Sequence, residues 1–281
     1  MALSPVDIYK DILPKTNCGD CRFPSCLAFA SMVVKEKVPL IRCPHIAPVL
    51  IEKYQGMLDK QYIEGKYVKR DMSKDALEWS KRRASSVNIK DLHDKIGGDC
   101  YKNGDSYFLE LRYFTDTIVI SRDGISYTNG NSLNVWEQVL IYNHIAKNGR
   151  SKPVGKWKAI EEFPNSVSKT VSMRDSVEIP LIERFDGHAD ELVDAAEYIG
   201  GVNITEKERL ADRVLLFRPL PRIPIMLLFW EQDKEEGFDA RLKLLFDETI
   251  TEHLDLESMV FLSEKLRQLL CERPFKKGLV R

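Results

Sequence analysis

Apolar residues recur at helical spacing along the first third of the chain. Val6, Ile8, Ile12 and Leu13 predict a short helix over residues 5–13. Leu27, Phe29, Ala30, Val33 and Val34 form one apolar face of a second helix over about 25–37, and Pro39 breaks it. Ile46, Val49, Leu50, Tyr54, Met57 and Leu58 predict a third over about 46–62. The polar stretch from Gly65 to Ser73 reads as a linker. Residues 72–84 return to helix around Leu77, with Lys81-Arg82-Arg83 on an exposed face, and 91–96 form a short helix closed by Gly97-Gly98.

After Gly98 the period changes to two. Strands over 100–101, 107–114, 117–121 and 125–128 are separated by Asn103-Gly104-Asp105, Thr115-Asp116 and Arg122-Asp123-Gly124, which is the pattern of an antiparallel meander. Ser132 stands as the cap of a helix over 133–147 that buries Val135, Trp136, Val139, Leu140 and Ile145. His144 lies within it as a packing residue. Residues 153–164 form a connector, 177–185 a short helix, and 187–199 a longer helix ended by Gly200-Gly201. Strands over 213–217 and 223–230 flank Pro219-Leu220-Pro221, another strand covers 242–246, and a closing helix over 256–270 has Asp255 at its N-cap. This order gives an α+β fold: a small helical module, residues 1–65, a linker and helix, 66–90, and a mixed domain with an antiparallel sheet and packed helices, 91–281.

Composition narrows the function. Apolar residues make up 43% of 281, enough for a packed core, and the formal charge of −1 argues against a general nucleic-acid binder. No apolar stretch approaches about 18 residues, so no membrane span is expected. No amino-terminal run has the form of a secretion signal, which points to the cytoplasm. Residues 1–70 hold eleven Lys and Arg against seven Asp and Glu, a basic collar suited to an acidic partner.

Four of the six cysteines lie close together: Cys18, Cys21, Cys26 and Cys43, spaced C-x2-C-x4-C-x16-C. Four thiolates at such spacing bind zinc or an iron–sulfur cluster. Three ligands on one loop, with a fourth returning beyond a helix and followed by Pro44, suit a [4Fe-4S] cubane better than a zinc ribbon, whose ligands come as paired knuckles. Structural zinc and uncomplexed thiols are the alternatives. Gly19 allows a tight turn between the first two ligands, and Pro24 stands where a helix begins, so that Cys26 falls in its first turn. The positive end of that helix favours an anionic cluster. Cys100 and Cys271 stand apart as ordinary thiols.

The run L-P-K-T-N-C-G-D-C-R-F-P-S-C-L-A-F-A, residues 13–30, closely resembles the amino-terminal cluster module of the corrinoid iron–sulfur protein large subunit. That family carries one-carbon units on cobalt in the acetyl-CoA pathway, and related modules serve other redox proteins of anaerobes. The resemblance covers about residues 1–65 and implies that Cys18, Cys21, Cys26 and Cys43 hold a [4Fe-4S] cluster. Arg22 departs from it, standing where the family usually has glycine. The family's corrinoid-binding barrel has no counterpart downstream. There, P-L-P-R-I-P-I-M-L-L-F-W-E-Q-D and L-F-D-E-T-I-T-E-H-L resemble an uncharacterised domain often fused to this module in anaerobes.

A second site is sought between Glu231 and Glu257, where ten Asp and Glu face three Lys and Arg. Asp233, Asp247 and His253 are its candidates for a metal or acid–base pair, with capping and packing, or an acidic docking surface, as the plainer readings. The leading function is transfer of low-potential electrons to a redox partner, with a corrinoid protein needing reductive activation as that partner. The alternatives are a binding module for a corrinoid or corrinoid protein, and an enzyme whose active site in the α+β domain is fed by the cluster.

Overall fold

Ser4 opens the first helix of the computed structural model, which describes residues 3–64, 72–233 and 235–272. Its hydroxyl accepts from the Asp7 backbone N–H, and the Asp7 carboxylate accepts from the Ser4 N–H, a reciprocal capping box. The chain divides into two units, residues 1–72 and 73–281. The segment read as a linker falls, over residues 65–71, outside the described residues.

The first unit has three helices: α1 (Pro5–Asp11), α2 (Cys26–Glu36) and α3 (Pro48–Ile63). Their apolar stripes meet in a small core built on Ile8, Phe29, Val33, Leu40 and Leu58. Lys37 ends α2 in the left-handed conformation, two residues before Pro39. Polar side chains then fasten loops to α3. Gln61 accepts from the Leu3 N–H at 2.7 Å and donates to the Leu3 carbonyl, and Gln55 accepts from the Leu40 N–H at 2.9 Å.

The second unit holds two antiparallel sheets. The meander comprises β1 (Asp99–Asn103), β2 (Ser106–Tyr113), β3 (Asp116–Ile120) and β4 (Ile125–Tyr127), in that order. Gly98 is required where β1 begins: its φ is +90°, and a Cβ there would lie 2.3 Å from the Glu110 carbonyl oxygen. The other sheet comprises β5 (Trp157–Ala159), β6 (Val202–Asn203), β7 (Arg213–Leu220), β8 (Ile223–Trp230) and β9 (Arg241–Asp247), in the order β5-β9-β8-β7-β6. The unbroken apolar run of β8 is explained by burial on both faces. Ile225, Leu227 and Phe229 enter the main core, while Met226 and Leu228 enter a smaller one on the opposite side. Pro219 lies at the irregularity in β7 between Phe217 and Leu220, where a missing donor is tolerated.

Helices cover these sheets. The helix from Met72 to Ala84 belongs with this unit: Ala84 lies in its core, and the Ser80 hydroxyl bonds to the Asn143 side-chain carbonyl at 3.0 Å. The helix expected from residue 133 starts later, over Val135–Lys147, because Asn134 forms a capping box with Glu137 while Ser132 pairs with Ser126 across a β-bridge. Trp136, expected in the core, is 45% exposed and lies against the Phe261 ring at 5.2 Å between centroids. The short helix expected over 177–185 is the last part of a longer one. That helix starts at Val167, widens to a π-helical turn over Arg174–Glu178 and continues over Ile179–Phe185. The wide turn comes just ahead of Pro180, which has no N–H for the regular ladder. Asp255 caps the closing helix, Leu256–Cys271, by accepting from the Ser258 N–H.

Candidate metal centre

The loop between α1 and α2 is shaped by its backbone. Lys15, Asn17, Gly19 and Arg22 all have positive φ, at 62°, 52°, 82° and 65°. A Cβ on Gly19 would meet nothing within 4 Å, so glycine serves conformation there, not space. Arg22 closes a turn by donating its N–H to the Gly19 carbonyl at 2.7 Å. The Asn17 side chain accepts from the Cys26 N–H at 2.8 Å, fastening the loop to the first turn of α2. Ser25 caps that helix through the Ala28 N–H, so Cys26 stands at its positive end.

The four clustered cysteines differ in depth. Cys21, Cys26 and Cys43 are 6%, 6% and 4% exposed and share the core of the first unit, whereas Cys18 is exposed. Burial, and to a smaller degree the nearby thiols of Cys21, Cys26 and Cys18, push the Cys43 thiol above its ordinary pKa, while the His45 backbone N–H donates to its sulfur and acts the other way. Several thiolates sharing a half-dry site repel one another unless a cation neutralises them. The soft donors and the helix terminus together fit an iron–sulfur group.

Two residues beside Cys18 complete the surface of this site. One ligand atom each from Cys18, Asp20 and His45 lies within 4.8 Å of the other two. His45 Nε2 stands 2.5 Å from Asp20 Oδ2. Hydrogen bonds from His45 and then from Cys18 hold the Asp20 carboxyl below the usual carboxylate range. Neither residue was singled out from sequence. The available signal was the aspartate inside C-G-D-C and the histidine two places after Cys43. Near the same loop, the Arg42 guanidinium covers the Phe23 ring at 5.0 Å, and Phe23 meets Phe29 at 5.6 Å. Lys15, Lys37 and Lys53 lie over Tyr9, Tyr62 and Tyr54. The basic residues of this unit are thus partly ordered on aromatic faces.

The residues proposed for a second site have local duties. Asp233 accepts from the Glu235 and Glu236 N–H groups at 2.9 and 3.0 Å. Asp247 accepts from Val154, Gly155 and both the N–H and hydroxyl of Thr249, which keeps its carboxyl ionised despite burial. His253 is buried, with Nε2 2.8 Å from the Ser151 carbonyl. Its own carbonyl meets His144 Nδ1 at 3.2 Å, and the two rings lie 5.5 Å apart. Burial, then the neighbouring His253, holds His144 down at about 4. Among the described residues, none of these four joins a group of three metal-ligand atoms. Cys100 lies on β1 and Cys271 at the end of the closing helix, both half-buried and away from the thiol-bearing loop in sequence.

Comparison with known proteins divides the chain in the same sense. A family model for an Fe-S cluster matches residues 13–45, and the model of a domain of unknown function (DUF3786) matches residues 88–268. The chain is 31% identical over 115 residues to acetyl-CoA decarbonylase/synthase complex subunit gamma 1 of Methanosarcina thermophila, covering 40% of this chain and 21% of that one. It is 47% identical over 47 residues to the corrinoid/iron-sulfur protein large subunit of Moorella thermoacetica, covering 17% and 10% respectively. It is 43% identical over 51 residues to the corresponding gamma subunit of Methanocaldococcus jannaschii, covering 18% and 10%. The chain therefore spans about a fifth or less of the length of these relatives. No solved structure matches it.

Proposed function

Because the chain belongs to the family described as a domain of unknown function (DUF3786), with an iron–sulfur module ahead of that domain, we propose that it is an electron carrier. Its cofactor is a [4Fe-4S] cluster held by Cys18, Cys21, Cys26 and Cys43, and the carrier serves a corrinoid protein in one-carbon metabolism. When bound, the cluster supplies one-electron storage at low potential. The protein's part is to keep three ligands dry, to set Cys26 at the positive end of a helix, and to leave the fourth ligand near the surface.

That asymmetry carries the proposal: Cys21, Cys26 and Cys43 are buried in one core, and Cys18, on the loop that carries Cys21, is exposed. A carrier needs water excluded from most of its cluster and one edge within reach of a partner. The relatives support the choice of partner, since one is a corrinoid/iron-sulfur protein and others are subunits of a decarbonylase/synthase complex. Ordered cations such as Arg42 on Phe23 favour an acidic docking surface on that partner.

Anaerobically purified protein tests the reading. Iron and sulfide should each reach about four per chain, with broad visible absorption and no zinc. Reduced protein should then convert the cob(II) form of a corrinoid protein to cob(I), read from its absorbance. Zinc in place of iron, or a reduced cluster that passes no electron to the corrinoid, would sink it.

A second reading, a binding module, draws on one cavity of about 660 Å³ in the second unit, between the helix ending at Ala84 and the β3–β4 turn. Its apolar floor includes Leu92, Ile120 and Ile145, and Tyr107, Lys81 and Arg122 stand on its rim. Corrinoid binding that survives removal of the cluster would favour this role for the domain.

A further inference from the structure

The exposed edge at Cys18 offers more donors than one iron needs. Two donors on one tetrahedral metal, with bonds of about 2.0–2.3 Å, stand about 3.3–3.8 Å apart. The ligand atoms of Cys18, Asp20 and His45 all fall within 4.8 Å of one another, so small side-chain adjustments bring the imidazole to a metal held at Cys18. His45 is held at the site by its ring, which meets Asp20 at 2.5 Å. A carboxylate taking one ring N–H while the other nitrogen faces a metal is the common way in which proteins orient a histidine ligand. With Nε2 engaged by Asp20, Nδ1 is the ring nitrogen left to meet a metal.

We propose that His45, oriented by Asp20, is a reserve ligand for the iron that Cys18 holds. Three corners of the cluster are then fixed by buried cysteines, and the fourth is exchangeable. The exchange is balanced without electron transfer. Cys18 leaves its iron as a thiolate and takes a proton from solvent, and the His45 lone pair takes its place. Replacing an anionic thiolate by a neutral imidazole raises a cluster's potential. The pair would thus give the module two potentials, selected at its solvent-facing corner. The proposal rests on the four-iron reading above.

The test uses the full chain reconstituted anaerobically, with iron and sulfide counted and the reduced cluster studied by pulsed EPR in protein labelled with 15N-histidine. Cys18→Ala should keep about four irons per chain and show a histidine nitrogen coupled to the cluster. His45→Ala alone should keep all its iron, and Cys18→Ala/His45→Ala should lose the fourth iron. Cys21→Ala, at a buried ligand, should lose the cluster. Cys18→Ser repeats the comparison with the side-chain volume kept. A wild-type chain holding four irons beside a Cys18→Ala chain holding three or none overturns the reserve-ligand proposal alone. So does retention of four irons in the double variant, which assigns the corner to Asp20 or water. A wild-type chain that never assembles four irons overturns the four-iron reading and this proposal with it.

Discussion

The two units of this chain solve the problem of burial in opposite ways. The second encloses a continuous apolar core that runs from Ala84 to Leu270 and takes in both faces of its central strand through two clusters. Among the described residues, the apolar core of the first holds thirteen, and three of those are cysteines. A segment of that size has too little apolar surface to offset the entropy of ordering its chain, and metal binding then becomes a source of folding free energy. The larger unit has the apolar mass to fold on side chains alone; in the smaller one a bound metal would add what the core lacks.

The largest effect should come from breaking that difference directly. Serine at Cys21, Cys26 or Cys43, or removal of iron from the wild type by a chelator, should abolish the cluster and the ordered structure of the first unit together. The second unit should keep its cooperative unfolding transition. NMR dispersion and far-UV circular dichroism, recorded with and without iron, separate the two. Cys100→Ser and Cys271→Ser should leave iron content unchanged, since neither thiol lies in the loop or core that carries the other four. A first unit that remains fully ordered after chelation would show that its thirteen-residue core suffices by itself.

The same comparison governs what could be read from sequence. Helices with apolar stripes were legible, because period is local, and so was the Asp255 cap of the closing helix, whereas the cap read at Ser132 is supplied by Asn134. The C-x2-C-x4-C run was legible for the same reason, and the structure gathers Cys21, Cys26 and Cys43 into one core. What escaped depends on contacts distant in sequence. His45 and Asp20 meet across twenty-five positions. The capping role read for Asp247 is there at Thr249, but Val154 and Gly155, more than ninety residues away, also donate to its carboxylate, and no local pattern announced them. The two-residue strand Val202–Asn203 exists only because β7 offers it an edge. Arg22 was noted as a departure from the family's glycine, and its left-handed backbone came to light only in the structure.

A smaller effect should mark the second unit and leave iron out of the matter. His144 is fully buried and neutral, and its pKa is held down at about 4 from an ordinary 6.5. His253 shifts in the same direction, by burial first. In the unfolded chain both take up protons near pH 6.5, while the folded chain refuses them, so stability falls as pH drops through that window. For His144 alone the loss between pH 6.5 and 4 is about 3 kcal/mol. Urea unfolding at pH 7 and at pH 4.5 measures it. His144→Asn should be less stable at neutral pH but flatter in its pH response. An undiminished acid response in that variant would locate the sensitive group elsewhere.

The smallest expected effect separates two roles of one residue. Arg22 carries a positive charge beside a ligand and holds a φ of 65°, a region that costs a non-glycine residue roughly 1 kcal/mol. Glycine, usual at this place in the resembling family, would remove both the charge and the strain. Arg22→Gln would remove only the charge. A nearby cation favours the more negative, reduced cluster, so its loss should lower the midpoint potential in both variants. Arg22 is exposed, and at about 10 Å in water-like surroundings a unit charge is worth about 0.4 kcal/mol, on the order of 10–20 mV for one electron. Stability should divide the variants where potential does not. Arg22→Gly should resist unfolding of the first unit slightly better than Arg22→Gln, because only glycine relieves the left-handed turn that closes on the Gly19 carbonyl. Glycine also gains freedom in the unfolded chain, which reduces the advantage to a few tenths of a kcal/mol up to about 1. Anaerobic redox titration and chelator-driven iron release, run on both variants, give the two readings independently. Equal potentials in wild type and Arg22→Gln would leave Arg22 without an electrostatic role, and equal release rates in the two variants would leave it without a conformational one.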